Sequence, residues 1–178
     1  MIPEAKLEEH PGGLRPKGEG WFVLNAREAQ WFDHDTFGRF TRFEGDPRFP
    51  EYGINISLVE PGKPSCMYHG ENAQEDFLVL AGECLLLIEG EERPLKAWDF
   101  VHCPAWTEHV FVGAGSGPCL ILSAGTRKDP DEVIYPAAPV AQAYDAGVLE
   151  ETKSAEEAYA RFSKSQERPY REGDLPDW

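Results

Sequence analysis

The chain has 178 residues, of which 32 are acidic and 17 basic, giving a formal net charge of -15 and a pI near 4.7. That length suits one hydrophobic core with tails rather than two domains, and the charge, with no basic stripe to offset it, argues against a nucleic-acid partner. No apolar run approaches the roughly 20 residues of a membrane helix, and Met1 to Pro16 lacks a signal-type apolar stretch, so a soluble cytoplasmic protein with no membrane partner is expected.

In chain order, residues 1–19 carry Pro3, Pro11, Gly12, Gly13 and Pro16 among charges and predict an extended N-terminal arm that orders only on another surface. A β pattern begins at Trp21 and occupies 20–126. Strands are expected at Trp21 to Leu24, at Phe37 to Phe43, and at Ile54 to Val59, where Ile54, Ile56 and Leu58 alternate with Asn55, Ser57 and Val59 before Pro61-Gly62. Further strands follow at Phe77 to Leu80, Cys84 to Ile88, Leu95 to Val101, His109 to Val112 and Cys119 to Ser123, each closed by Gly or Pro. Short strands so closely spaced imply a sandwich or barrel. The run Cys84 to Ile88 is apolar on both parities, so its outer face needs a cover, from a second sheet, the N-terminal arm or another subunit. Residues 127–178 form a C-terminal extension. In it Ser154 and Glu157 make a capping-box pattern ahead of a short helix near 154–162, followed by an extended tail anchored, if at all, by Tyr170, Leu175 and Trp178.

Four cysteines, Cys66, Cys84, Cys103 and Cys119, lie far apart without a C-x-x-C pair, which fits buried, reduced side chains better than a zinc ribbon or redox pair. His34 sits in polar, loop-like surroundings and is expected to be solvated, and His102 is expected to be structural.

Chemistry enters at Met67-Tyr68-His69-Gly70-Glu71-Asn72-Ala73-Gln74-Glu75. On an extended strand Met67, His69 and Glu71 share one face, and after a turn at Asn72-Ala73 Glu75 and Phe77 share the inward face of the next strand. His109, starting a strand after the Pro104 turn, supplies a second imidazole from across the fold. Two imidazoles and two carboxylates suit Mn, Fe, Ni or Zn and are too nitrogen-rich for Ca or Mg. The other reading is a metal-free, hydrogen-bonded polar cluster. Met67, Phe77, Trp106 and Phe111 are candidates to line a ligand pocket or, equally, to be core.

At these residues the sequence resembles the cupin superfamily. Its first motif, G-x5-H-x-H-x3or4-E-x6-G, is met by His69, Glu75 and Gly82, with Glu71 in the place of the second histidine and Gly62 one place early. Its second, G-x5-P-x-G-x2-H-x3-N, is met by Pro104 and His109, while Trp98, Trp106 and Gly113 replace its glycines and asparagine. The resemblance, over roughly 54–125, implies an all-β fold, a single conical antiparallel jelly-roll barrel with a short C-terminal helix and extended arms. It also implies one divalent metal ion held by His69, Glu75 and His109, with Glu71 as a fourth ligand departing from the pattern. Oxygenases, decarboxylases and sugar isomerases are the implied enzyme options; a metabolite-sensing module is the alternative. A small, oxygen-rich molecule is the expected ligand and a homodimer the expected assembly.

Overall fold

The structure, a computed structural model, describes residues 1–177; Trp178, named above as a tail anchor, lies outside the described residues. Its elements are β1 (Lys6–His10), β2 (Gly13–Lys17), β3 (Trp31–His34), β4 (Gly38–Arg42), β5 (Tyr52–Val59), β6 (Gly70–Glu71), β7 (Glu75–Ala81), β8 (Glu83–Ile88), β9 (Glu91–Lys96), β10 (Phe100–Cys103), β11 (His109–Ala114), β12 (Cys119–Thr126), β13 (Val133–Ile134), α1 (Pro139–Gln142), α2 (Ala155–Ala158) and β14 (Gln166–Glu167). The fold is the all-β jelly roll that the resemblance implies. A seven-stranded antiparallel sheet, ordered β10-β7-β12-β5-β4-β3-β14, faces a three-stranded sheet, β11-β8-β9. Residues 61–69 widen the smaller sheet by bridging Pro61 to Gly113, Pro64 to Val112 and His69 to His109. Gly113 is required here, because a Cβ would stand 2.2 Å from the Glu60 carbonyl oxygen.

The core between the sheets contains Val59, Phe77, Val79, Leu86, Phe111 and Ile121. Cross-strand register fixes what else faces inward: Arg42 pairs with Asn55 and Phe40 with Ser57, and these strand partners continue to Ser123 and Ile121 on β12. The inner face of the large sheet is therefore polar at one end. Its outer face is apolar, with Trp31, Ile56, Leu58 and Leu120 buried under Ala26, Tyr170 and Leu175.

Several local expectations are corrected. The first 19 residues are not an extended arm. They form the β1–β2 hairpin, tied to the rest of the chain by bridges Glu4 to Trp21, Leu14 to Ala29 and Lys17 to Asp46; pairing the backbone within one chain supplies the surface that the composition seemed to need from elsewhere. Residues 22–24 are not a strand, whereas β3, unanticipated, brings His34 into the interior at 7% exposure. There the His34 Nδ1 accepts from Thr36 and Phe37 N–H at 3.0 and 3.2 Å, and its Nε2 bonds the Ser163 carbonyl at 2.9 Å. The run from Leu95 to Val101 is split by a turn at Trp98, whose φ is +76°. The helix near 154–162 shrinks to α2; Ser154 Oγ caps it by accepting from Glu157 N–H at 3.2 Å, but the Glu157 carboxylate accepts from Thr152 instead of closing the box.

The outer face of β8 is covered from within the chain. Leu87 and partly buried Leu85 pack with Tyr68, Val110 and Val112 of the same sheet region and with Ala141 and Ala146 of the segment around α1. All four cysteines are unpaired, and Cys84, Cys103 and Cys119 are buried.

Candidate metal centre

His69 and His109 stand opposite each other as an antiparallel bridge, exchanging both backbone hydrogen bonds at 3.2 and 2.9 Å, so their rings project side by side with centroids 5.1 Å apart. Glu75, at the start of β7 in the facing sheet, reaches them: its Oε2 lies 3.3 Å from His109 Nε2. One ligand atom each from His69, Glu75 and His109 falls within 4.8 Å of the others. Each imidazole donates its Nδ1–H to a backbone carbonyl two residues back, His69 to Met67 at 2.8 Å and His109 to Thr107 at 3.0 Å. That bond fixes the ring and, in the neutral imidazole, makes Nε2 the nitrogen with the lone pair, the arrangement found where histidine ligates a metal.

Glu71 falls outside this group. Parity places it with His69 only along one continuous strand, and the chain changes partner between them: His69 bridges β11, whereas Gly70 and Glu71 pair with β13. Glu71 nonetheless lies close enough to act on Glu75 electrostatically. Burial, then the Glu71 charge, pushes the Glu75 carboxyl up to about 7, and burial also raises Glu71. Burial and the neighbouring His69 hold His109 down at about 4. Burial works against a charged His69 too, but Cys66, Glu75 and the Met67 carbonyl outweigh it and hold the group up at about 10. The donors, their spacing and their fixed tautomers fit a single divalent ion.

The triad opens on a cavity of about 260 Å3 between the sheets, whose walls include Phe77, Phe111, Asn55, Ser57 and Ser123, with Cys66 beside His69. Of the four pocket candidates, Phe77 and Phe111 line it. Met67 does not: it packs with Phe37, Tyr135 and Ala158, because residues 66–68 are not an extended strand and the two-residue alternation lapses there. Trp106 is 46% exposed and stands outside the lining. It and Trp98 occupy the two glycine positions of the second motif with φ of +71° and +76°, so the loop keeps a glycine-type backbone without glycine. His102 is exposed and paired with Asp76 at 2.6 Å, which draws the Asp76 carboxyl below its usual value. Sequence reasoning missed Arg42, Asn55, Ser57 and Ser123, whose alternation with apolar neighbours marked two faces without saying which was inside.

A β jelly roll with a His-His-Glu cluster at the floor of an inter-sheet cavity defines the class. The comparisons agree: a family model described as a cupin domain matches residues 55–125, and over that stretch the chain is similar to the cupin family. A putative sugar phosphate isomerase from Acidithiobacillus ferrooxidans is 33% identical over 47% of this chain and 55% of its own length, with a TM-score of 0.45. This chain thus matches only about half of that relative. A cupin-superfamily sugar phosphate isomerase from Silicibacter pomeroyi is 21% identical over 63% of this chain and 80% of its own, with a TM-score of 0.56. A predicted oxalate decarboxylase from Thermotoga maritima is 15% identical over 60% of this chain and 100% of its own, with a TM-score of 0.51. No curated protein matches the chain. Among the described residues no helix is long and apolar enough to cross a membrane.

Proposed function

We propose that the protein is a metal-dependent cupin acting on a small, oxygen-rich metabolite, with one divalent ion (Zn, Fe, Mn or Ni) on His69, Glu75 and His109. The observation that carries this reading is the meeting of two pre-oriented imidazoles and a carboxylate at the floor of a cavity. An ion there supplies Lewis acidity toward substrate oxygens or, if redox-active, electron-transfer chemistry. The chain's own residues do the rest. Asn55, Ser57 and Ser123 line one wall and offer hydrogen bonds to hydroxyl or carbonyl groups. Phe77 and Ile121 of the same sheet and Phe111 of the facing one line the remainder and keep bulk water from the reacting end. Glu71 contributes negative charge beside the ligand set rather than a ligand atom. Proteins named as a sugar phosphate isomerase and a predicted oxalate decarboxylase share this architecture, so the fold leaves the reaction open.

Elemental analysis of purified protein should find about one transition-metal ion per chain, and His69→Ala or His109→Ala should remove it. Stoichiometric metal in His109→Ala would refute the site. A homodimer belongs to the same proposal, built on the exposed edge of β10.

A further inference from the structure

We propose that the substrate carries a phosphate group, bound by Arg42, Arg48 and Arg15 at the cavity mouth while its oxygen-bearing end reaches His69, Glu75 and His109. The proposal rests on the metal-centre reading for the second half of that statement only.

Arg42 lies on the inner face of β4 and lines three adjoining spaces: the metal cavity, a polar opening of about 240 Å3 beside Glu71 and Glu75, and a recess of about 210 Å3 that it shares with Arg15, Arg48 and Gln30. Its guanidinium is fixed without a carboxylate. It sits over the rings of Phe40 and Phe32, 5.3 and 5.7 Å from their centroids, and those rings are themselves stacked. A cation held in this way keeps its hydrogen-bond donors free.

Charge balance makes the arrangement unusual for this chain. Acidic residues outnumber basic ones almost two to one, yet among the described residues no ion pair within 4 Å engages Arg15, Arg42 or Arg48. Glu44 also lines the recess, but both its oxygens are taken by Arg127 at 2.6 and 2.7 Å. Glu167 remains at the rim. The surplus of positive charge left over is better offset by a dianionic phosphate than by a single carboxylate, and arginine forks match phosphate geometry.

Register gives the scale. Glu75 on β7 and Arg42 on β4 are separated by β12 and β5, three strand steps, or roughly 14 Å along the sheet at about 4.8 Å each. The Arg42 guanidinium lies over Phe40 of β4 and Phe32 of β3, on the side of β4 away from β7, so the substrate has to span about those three strand steps. Gly125 stands opposite Glu75 in register, with Gly53 next across β5; a Cβ on Gly125 would lie 3.5 Å from Glu75 Cγ, and the Arg127 guanidinium lies over Gly53, 3.0 Å from where a Cβ would stand.

The test uses metal-stripped protein in chelator, so that a bound ion cannot capture the probe. Inorganic phosphate, acetate and chloride at matched ionic strength are titrated by calorimetry into the wild type, Arg42→Met and Arg48→Met, and zinc binding of each variant is measured separately. Phosphate should bind at least tenfold more tightly than acetate, Arg42→Met should weaken it tenfold or more, Arg48→Met should weaken it several-fold, and zinc affinity should be unchanged. Equal binding of phosphate in all three proteins would overturn the proposal, as would acetate matching phosphate. Loss of zinc binding in His109→Ala with phosphate binding intact is the expected separation of the two sites. Retention of zinc in His109→Ala would sink the metal reading while leaving the phosphate result to stand or fall by itself.

Discussion

At the scale of single residues, the site is a matter of which donor atoms are already committed. The two Nδ1 atoms are used on backbone carbonyls, so His69 and His109 each offer only Nε2, and deleting either should reduce metal affinity at least a hundredfold by calorimetric titration. Glu71→Gln, which removes charge but no ligand atom, should weaken binding less than tenfold; a loss as large as that in His109→Ala would return Glu71 to the ligand set. Trp106 gives a second residue-scale test. Trp106→Ala and Trp106→Gly lose the same indole, but a φ of +71° penalises any Cβ, by roughly 1–2 kcal/mol. The glycine variant should therefore be the more stable by about 1 kcal/mol in denaturant melts, reversing the order seen at ordinary positions. The histidines and Glu75 were legible in the sequence because spacing and motif agree. The place of Met67 outside the cavity lining and the change of strand partner between His69 and Glu71 were not, since a parity count cannot see that the strand is interrupted.

At the scale of elements, most strands could be read from alternation and turn residues, including the doubly apolar β8. The faces could not be assigned. On β5 the apolar residues Ile56 and Leu58 point away from the cavity and the polar Asn55 and Ser57 point into it, because the C-terminal tail and Trp31 form a further apolar layer outside the sheet. The tail is held by a buried ion pair: Arg39, 4% exposed, meets Asp174 and gives its Nη2 to the Pro169 carbonyl at 2.7 Å, with Asp33 at 3.9 Å. Breaking a buried pair leaves an uncompensated charge and costs about 3–5 kcal/mol. Asp174→Leu should approach the lower end of that range, since Asp33 remains, and should cost more than Arg39→Met paired with Asp174→Leu. Equal melting temperatures for the single and double variants would show that the pair does not hold the tail.

At the scale of the whole molecule, the sheet edges at β9 and β10 differ. β9 carries Glu91, Glu92, Arg93, Pro94 and Lys96, which discourage strand addition, whereas the β10 edge exposes Phe100 at 64% beside Trp98 at 68%. Self-association should use β10. Light scattering should give a dimer mass that Phe100→Glu converts to monomer, and a wild-type monomer at micromolar concentration would reject it. The proposed metal centre would act at the same scale. Glu75 belongs to the seven-stranded sheet and His109 to the three-stranded one, with His69 on the segment bridged to it, so an ion on all three ties the two sheets together across the core. The unfolded chain has no such preformed site. Binding therefore adds to stability as RT ln(1 + [L]/Kd), about 4 kcal/mol at a thousandfold excess over Kd, and for a chain of this size each kcal/mol moves Tm by about 2–4 °C. Chelator treatment should lower Tm by roughly 10 °C, re-addition of the native metal should restore it, and His109→Ala should melt at the same temperature with or without metal. A chelated wild type that melts where the loaded protein melts would mean that the sheets are held by packing alone and that the His-Glu cluster is a hydrogen-bonded network.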